Sequence, residues 1–188
     1  MGYAIDHAEG LVLFDTGIGT GSPQIDAYRP AVRDVREALH DAGLDPAAVR
    51  IIVNCHLHFD HCGQNRSFPG VPIVAQRHER EAARTPGYTV SEWVDFPEAR
   101  YELVDGEREL LPGLRVIPTP GHTPGHQSAI LETREGLVLF AGQAVQDRAE
   151  WESGVLADAL TEASYERLRA LRPIQVFFGH DEATWKPA

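Results

Sequence analysis

From Ile51 the chain reads Ile-Ile-Val-Asn-Cys-His-Leu-His-Phe-Asp-His. A short apolar strand, Ile51–Val53, runs directly into His56, His58, Asp60 and His61, four chemically active groups in six residues. Imidazole nitrogens and carboxylate oxygens are the donors that zinc and similar cations prefer. Crowding four of them together away from water is costly unless a cation satisfies them. The alternative, a solvated polar loop, fits poorly with a buried strand that aims the segment at a sheet edge, where sites form. The chain must therefore bury Ile51–Val53 in a sheet and place the histidine run at its end.

Two further histidine elements follow the same logic. Thr119-Pro-Gly-His122-Thr-Pro-Gly-His126 follows the strand Leu114–Pro118, and its two Pro-Gly pairs set turns that each deliver a histidine. His122 is the better ligand candidate. His126 enters the next strand and is expected to brace the site by a hydrogen bond. Gly179-His180-Asp181 follows the apolar strand Gln175–Phe178. His7, His40 and His78 lack such context and read as surface residues.

The remaining pattern is that of a mixed α/β chain. Strands are expected at Gly2–Asp6, Leu11–Phe14, Pro72–Ala75, Tyr101–Val104, Glu109–Leu111, Leu114–Pro118, Gln127–Glu132 and Leu137–Phe140, the last two forming a hairpin. Ala31, Val32, Val35, Ala38, Leu39 and Ala42 recur at helical spacing between Pro30 and Gly43. Gln76–Arg84 reads as a helix with a solvated, charged face, and Thr161–Leu171 as a third helix. Thr85–Ala99 reads as a loop or lid, with Trp93 or Phe96 available to an apolar ligand group or to packing. No repeat or interdomain linker interrupts the 188 residues, and a single domain over 1–188 is expected.

Composition narrows the partners. With 28 acidic against 17 basic residues the formal net charge is -11, which disfavours a phosphate backbone and so nucleic acid. No apolar run approaches the roughly 18–20 residues of a membrane span, and the start lacks the pattern of a signal peptide. The two cysteines, Cys55 and Cys62, form no disulfide framework. A cytoplasmic protein acting on a small molecule, without membrane attachment and with a homodimer as one option, is the expectation.

Asp15-Thr-Gly17, His56-x-His58-x-Asp60-His61, Thr119-Pro-Gly-His122 and Gly179-His180 together resemble the metallo-β-lactamase superfamily. Within it the chain looks most like the N-acyl homoserine lactonases, the quorum-quenching branch. That likeness rests on His58-Phe-Asp-His61 with Gly63-x-Asn65, on Val74-Ala-Gln-Arg77, and on Gly121-His-Thr-Pro-Gly-His-Gln-Ser128. The resemblance implies an α/β fold, a four-layer αβ/βα sandwich, here without one N-terminal strand. It implies two Zn²⁺ ions, one held by His56, His58 and His122, the other by Asp60, His61 and His180. A hydroxide shared by the metals would attack a lactone, ester or thioester carbonyl, and Asp60 would orient it or carry its proton. Asp15 would support the loop.

Two departures bear on this expectation. Where the family places a metal-bridging aspartate after the strand Leu137–Phe140, this chain has Gln143. Where lactonases carry a tyrosine three residues later, it has Gln146. A glyoxalase II-like thioester hydrolase and a metal-binding homologue with weak or lost catalysis are the alternatives. An iron dioxygenase would need the carboxylate missing at Gln143.

Overall fold

The computed structural model describes residues 1–187. The chain forms two compact units. The first comprises Met1–Ala75 and Arg80–Leu103, and the second Gln76–Glu79 with everything from Val104 onward.

The first unit is built on the sheet order β1-β2-β3-β4-β5, with β1 Tyr3–His7, β2 Gly10–Phe14, β3 Val49–Val53, β4 Pro72–Gln76 and β5 Arg100–Val104. β1 and β2 are an antiparallel hairpin. β2, β3 and β4 run parallel, with Phe14 beside Val53 and Val53 beside Val74. Parallel strands are covered on both faces, which explains why Leu11–Phe14 and Ile51–Val53 are continuous apolar runs rather than alternating ones. Leu11, Leu13, Val49, Ile52 and Ile73 pack with Leu39 and Phe68 in one buried cluster. The parallel register has a direct consequence: the segments after Phe14 and Val53 leave the sheet at the same edge. Those segments are Asp15-Thr16-Gly17 and Asn54-Cys55-His56.

The helices here are short: α1 Pro23–Asp26, α2 Val35–Asp41, α3 Phe59–Cys62, α4 Arg77–Ala82 and α5 Ser91–Val94. The helix expected from Pro30 begins only at Val35. Asp34 accepts from the backbone nitrogens of Arg36 (2.9 Å) and Glu37 (3.0 Å), so it caps the helix and stops its extension backwards. Ala31 and Val32 therefore lie outside the apolar face assigned to them. Thr85–Ala99 is not uniformly a loop, because Ser91–Val94 makes a helical turn that buries Trp93 and Val94.

The second unit has the sheet order β10-β9-β8-β7-β6, with β6 Arg108–Leu111, β7 Leu114–Pro118, β8 Gln127–Glu132, β9 Leu137–Gly142 and β10 Gln175–Phe178. β6 to β9 form an antiparallel meander, and β10 adds parallel to β9. β7, β9 and β10 thus point the same way. Their ends release Thr119–His126, Gln143–Gln146 and Gly179–Asp181 at one edge of the sheet. Ile117, Ile130, Leu139, Val176 and Phe178 pack against Trp151, Tyr165 and Leu168. The last three come from α6 Arg148–Ser153 and α7 Glu162–Ala170. Helix α6 went unrecognised in the sequence, although Asp147 caps it by accepting from the Glu150 nitrogen at 2.8 Å. An Asp-x-x-Glu signal was there to be read. No helix among the described residues is long and apolar enough to cross a membrane.

Candidate metal centre

In the first unit β3 ends at Val53, and the chain passes through Asn54 and Cys55 to His56, all fully buried. His58 is the N-cap residue of α3, and the single turn of that helix carries Asp60 and His61. His56 Nε2 lies 3.0 Å from His58 Nδ1. Two basic ring nitrogens at that distance can share one proton or one cation between them. The His56 and His61 ring centroids are 4.1 Å apart, and those of His56 and His58 are 4.6 Å apart. Burial is the main reason that His58 titrates below the ordinary histidine range; Asp60 opposes this shift and His61 adds to it. Burial therefore favours the neutral imidazole, which is the form that binds metal. This donor set fits a divalent cation of the nitrogen- and oxygen-seeking kind.

Asp15 orders the other side of His61. It sits in the left-handed region at φ 62°, which aspartate tolerates better than most residues. Its Oδ2 lies 2.9 Å from His61 Nδ1, so His61 turns Nε2 toward Asp60 Oδ2 at 3.4 Å. Thr16 donates to Asn65 Oδ1 (2.8 Å), Asn65 to Asn54 Oδ1 (2.7 Å), and Asn54 to the His61 carbonyl (3.3 Å). This buried chain pins the loop after β2 to the histidine run. Gly63 permits the close approach, since a Cβ there would lie 2.1 Å from the Gly19 nitrogen. Tyr88 lies beside the half-buried His58 with ring centroids 4.7 Å apart. Trp93 serves packing: it is fully buried, with the Arg66 guanidinium 5.8 Å from its ring centre. Cys55 and Cys62 are both buried free thiols.

In the second unit the Thr119–His126 loop is closed by the Thr119 nitrogen donating to the His126 carbonyl at 2.8 Å. His126 is buried and braces the sheet edge as expected. Its Nε2 accepts from the Gln143 backbone at 2.9 Å, so its proton resides on Nδ1 and is donated to Thr119 Oγ1 at 2.8 Å. Thr119 then donates to Ser128 (2.9 Å), and Ser128 to the Ala141 carbonyl (2.9 Å). His122 is half-buried on this loop, and Gln143 is half-buried just past β9. His180 is exposed after β10, its nitrogen donating to the Gln146 carbonyl at 3.2 Å. Asp181 accepts from the nitrogens of Ala183 and Arg148, and these bonds lower its pKa below the ordinary carboxylate value.

Glu79 was missed. Gln76–Arg84 reads as a solvated charged face, yet Gln76 and Glu79 are buried, three residues apart. Glu79 accepts from Thr123 Oγ1 at 2.7 Å, beside His122. Gly125 lets the loop press against Glu79, since a Cβ there would fall 2.0 Å from the Glu79 nitrogen. The sequence signal available was Thr-Pro-Gly after His122, which needs a partner surface within van der Waals reach.

Two parallel-strand edges carrying these motifs define a class of metal-binding hydrolase fold. The model of the metallo-β-lactamase superfamily matches residues 2–180, and the chain belongs to that superfamily. It is 34% identical to an N-acyl homoserine lactonase of Bacillus cereus, over 95% of this chain and 80% of the relative. It is 30% identical to the N-acyl homoserine lactonase AttM of Azorhizobium caulinodans, over 97% of this chain and 82% of that one. Among solved structures it superposes on an N-acyl homoserine lactone hydrolase with N-hexanoyl-L-homoserine bound at its catalytic metal centre. The TM-score is 0.81 at 31% identity, covering 96% of this chain and 80% of that one.

Proposed function

We propose that this protein is a zinc-dependent lactonase that opens the ring of an N-acyl homoserine lactone. The observation that carries the reading is the arrangement of His56, His58, Asp60 and His61 at the end of β3, in a chain similar over nearly its whole length to lactonases. His56, His58 and His122 are the proposed ligands of one cation, and Asp60, His61 and His180 those of a second. A bound Zn²⁺ supplies a nucleophile from water near neutral pH and polarises a carbonyl oxygen. Asp15 holds His61 in the tautomer that leaves Nε2 available as a donor. Asp60, its side chain 30% exposed, is the residue proposed to orient the attacking water and to carry its proton toward the ring oxygen that leaves. Neutral His58 stays a lone-pair donor at working pH. Tyr88, whose ring lies 4.7 Å from that of His58, is the proposed neighbour of an acyl chain.

Gln143 gives a specific reason to expect unequal metal sites. A glutamine brings a neutral amide where a carboxylate would offset the repulsion of two dications. A second cation at Asp60, His61 and His180 would therefore be held more weakly than one at His56, His58 and His122. A homodimer and a cytoplasmic setting remain part of this reading.

The test is ring opening of N-hexanoyl and N-decanoyl homoserine lactones, followed by product chromatography with the zinc-loaded chain, against a panel of simple esters and thioesters. Preferential lactone opening supports the reading. Turnover confined to thioesters would replace it with glyoxalase II-like chemistry.

A further inference from the structure

A metal-binding imidazole uses one nitrogen on the metal, and its other N–H needs an acceptor that fixes the tautomer and the ring rotation. For His61 that acceptor is Asp15 Oδ2, at 2.9 Å. For His56 the geometry is different. Its Nε2 faces His58 Nδ1, and its Nδ1 lies 3.1 Å from the sulfur of Cys55. The same sulfur is 2.9 Å from Asp15 Oδ2 and 3.3 Å from His61 Nδ1. Asp15, Cys55, His56 and His61 are all buried.

Donor and acceptor roles follow from the chemistry. The Asp15 carboxylate only accepts, so the thiol proton of Cys55 is directed to it, and the sulfur lone pairs are left to receive the Nδ1 proton of His56. Asp15 thus gathers Cys55 Sγ and His61 Nδ1 on Oδ2, and on Oδ1 the Cys55 backbone nitrogen at 2.8 Å with the Asn54 amide nitrogen at 3.5 Å.

We propose that Cys55 is a positioning residue that ties the ring of His56 to the Asp15 carboxylate. The two imidazoles assigned to different cations, His56 and His61, are then oriented by one buried acid. This rests on the ligand assignment made above. A thiol suits the task because sulfur is large enough to touch both rings and the carboxylate from one Cβ, and because it accepts weakly and so leaves the ring basic. The sequence places it one residue before the first histidine. There the strand has ended, and the side chain faces back toward the loop after β2.

The backbone bond from Cys55 to Asp15 survives replacement of the side chain, so Cys55→Ala reports on the sulfur. The apo forms of the full chain, the Cys55→Ala variant and the Cys55→Ser variant would be titrated with Co²⁺ against a competing chelator, with the visible ligand-field spectrum recorded at saturation. The expected result is roughly 10- to 100-fold weaker binding in Cys55→Ala, as for loss of an outer partner of a ligating histidine, with a shifted spectrum. Cys55→Ser should recover much of the affinity. A role in packing alone would leave the saturated spectrum unmoved.

If wild-type uptake and spectrum persist unchanged in Cys55→Ala, the proposal is overturned while the ligand assignment stands. A wild-type chain that takes up no cobalt overturns the ligand assignment and this proposal with it. A second measurement guards against a poorly folded alanine variant. In the zinc-loaded wild type and Cys55→Ser chains the His56 Nδ1 proton resonance is expected to move, because its acceptor changes from sulfur to oxygen. An unmoved resonance is evidence against the contact and overturns the proposal.

Discussion

The hydroxyl of Thr123 donates to Glu79 Oε2 over 2.7 Å with both residues buried, and replacing Thr123 by Val removes that proton while nearly preserving side-chain volume. A hydrogen bond to a carboxylate contributes about 1.5–3 kcal/mol, and a buried acceptor that loses its donor also keeps its desolvation cost. Glu79 has further interactions, so the carboxylate is not stranded, and the lower part of that range applies. For a chain of this length each kcal/mol moves the melting midpoint by about 2–4 °C, so a loss of about 1.5–2 kcal/mol should make Thr123→Val melt about 3–8 °C below the parent. The loop also carries His122, so the variant should release zinc to a chelator more readily. Glu79→Gln keeps an acceptor oxygen and should cost less than Thr123→Val. Gly125→Ala should cost more, because the new methyl meets Glu79 backbone that cannot move aside cheaply. Thermal melts with chelator competition on the three variants check the order. A Thr123→Val chain that melts with the parent would show that Glu79 does not hold the loop.

Three other outcomes are expected. His58→Ala should lose both hydrolysis and the cation assigned to His56, His58 and His122, as read by elemental analysis; wild-type metal content with normal turnover would remove His58 from the ligand set. Replacing Gln143 by Asp should raise metal content toward two per chain, whereas two tightly held metals in the unmodified protein would mean that the bridging charge comes from elsewhere. Trp93→Ala should destabilise by about 3–5 kcal/mol through the cavity it leaves, measured by denaturant unfolding. A change of acyl preference at unaltered stability would instead make Trp93 a substrate contact.

Local pattern sufficed for much of this protein. The ten strands are visible as apolar runs or short alternating stretches between turn residues, and α7 is visible by its period, because these signals depend on neighbours in the chain. The histidine run and the Thr-Pro-Gly-His loop were legible for the same reason: a dense set of polar groups after a buried strand is too costly to desolvate unless a cation repays it. The tautomer of His126, by contrast, is set by the Gln143 backbone N–H that meets its Nε2 from the end of β9.

Tertiary structure alone decided which polar residues are interior. Glu79 and Gln76 look like any charged surface helix in sequence, and they are buried because Thr123 and Gln127, some 44 and 51 residues away, come to meet them. Cys55 and Asp15 are 40 residues apart and join only because β2 and β3 are parallel neighbours whose ends coincide. Asp34 cut short a helix that its apolar period would have begun at Pro30, since a satisfied cap outweighs the little that Ala31 and Val32 would bury. Trp93 is open in sequence to either a ligand contact or packing, and the fold makes it a core residue. In each case the deciding energy lies in a contact between distant segments, and spacing along the chain does not encode it.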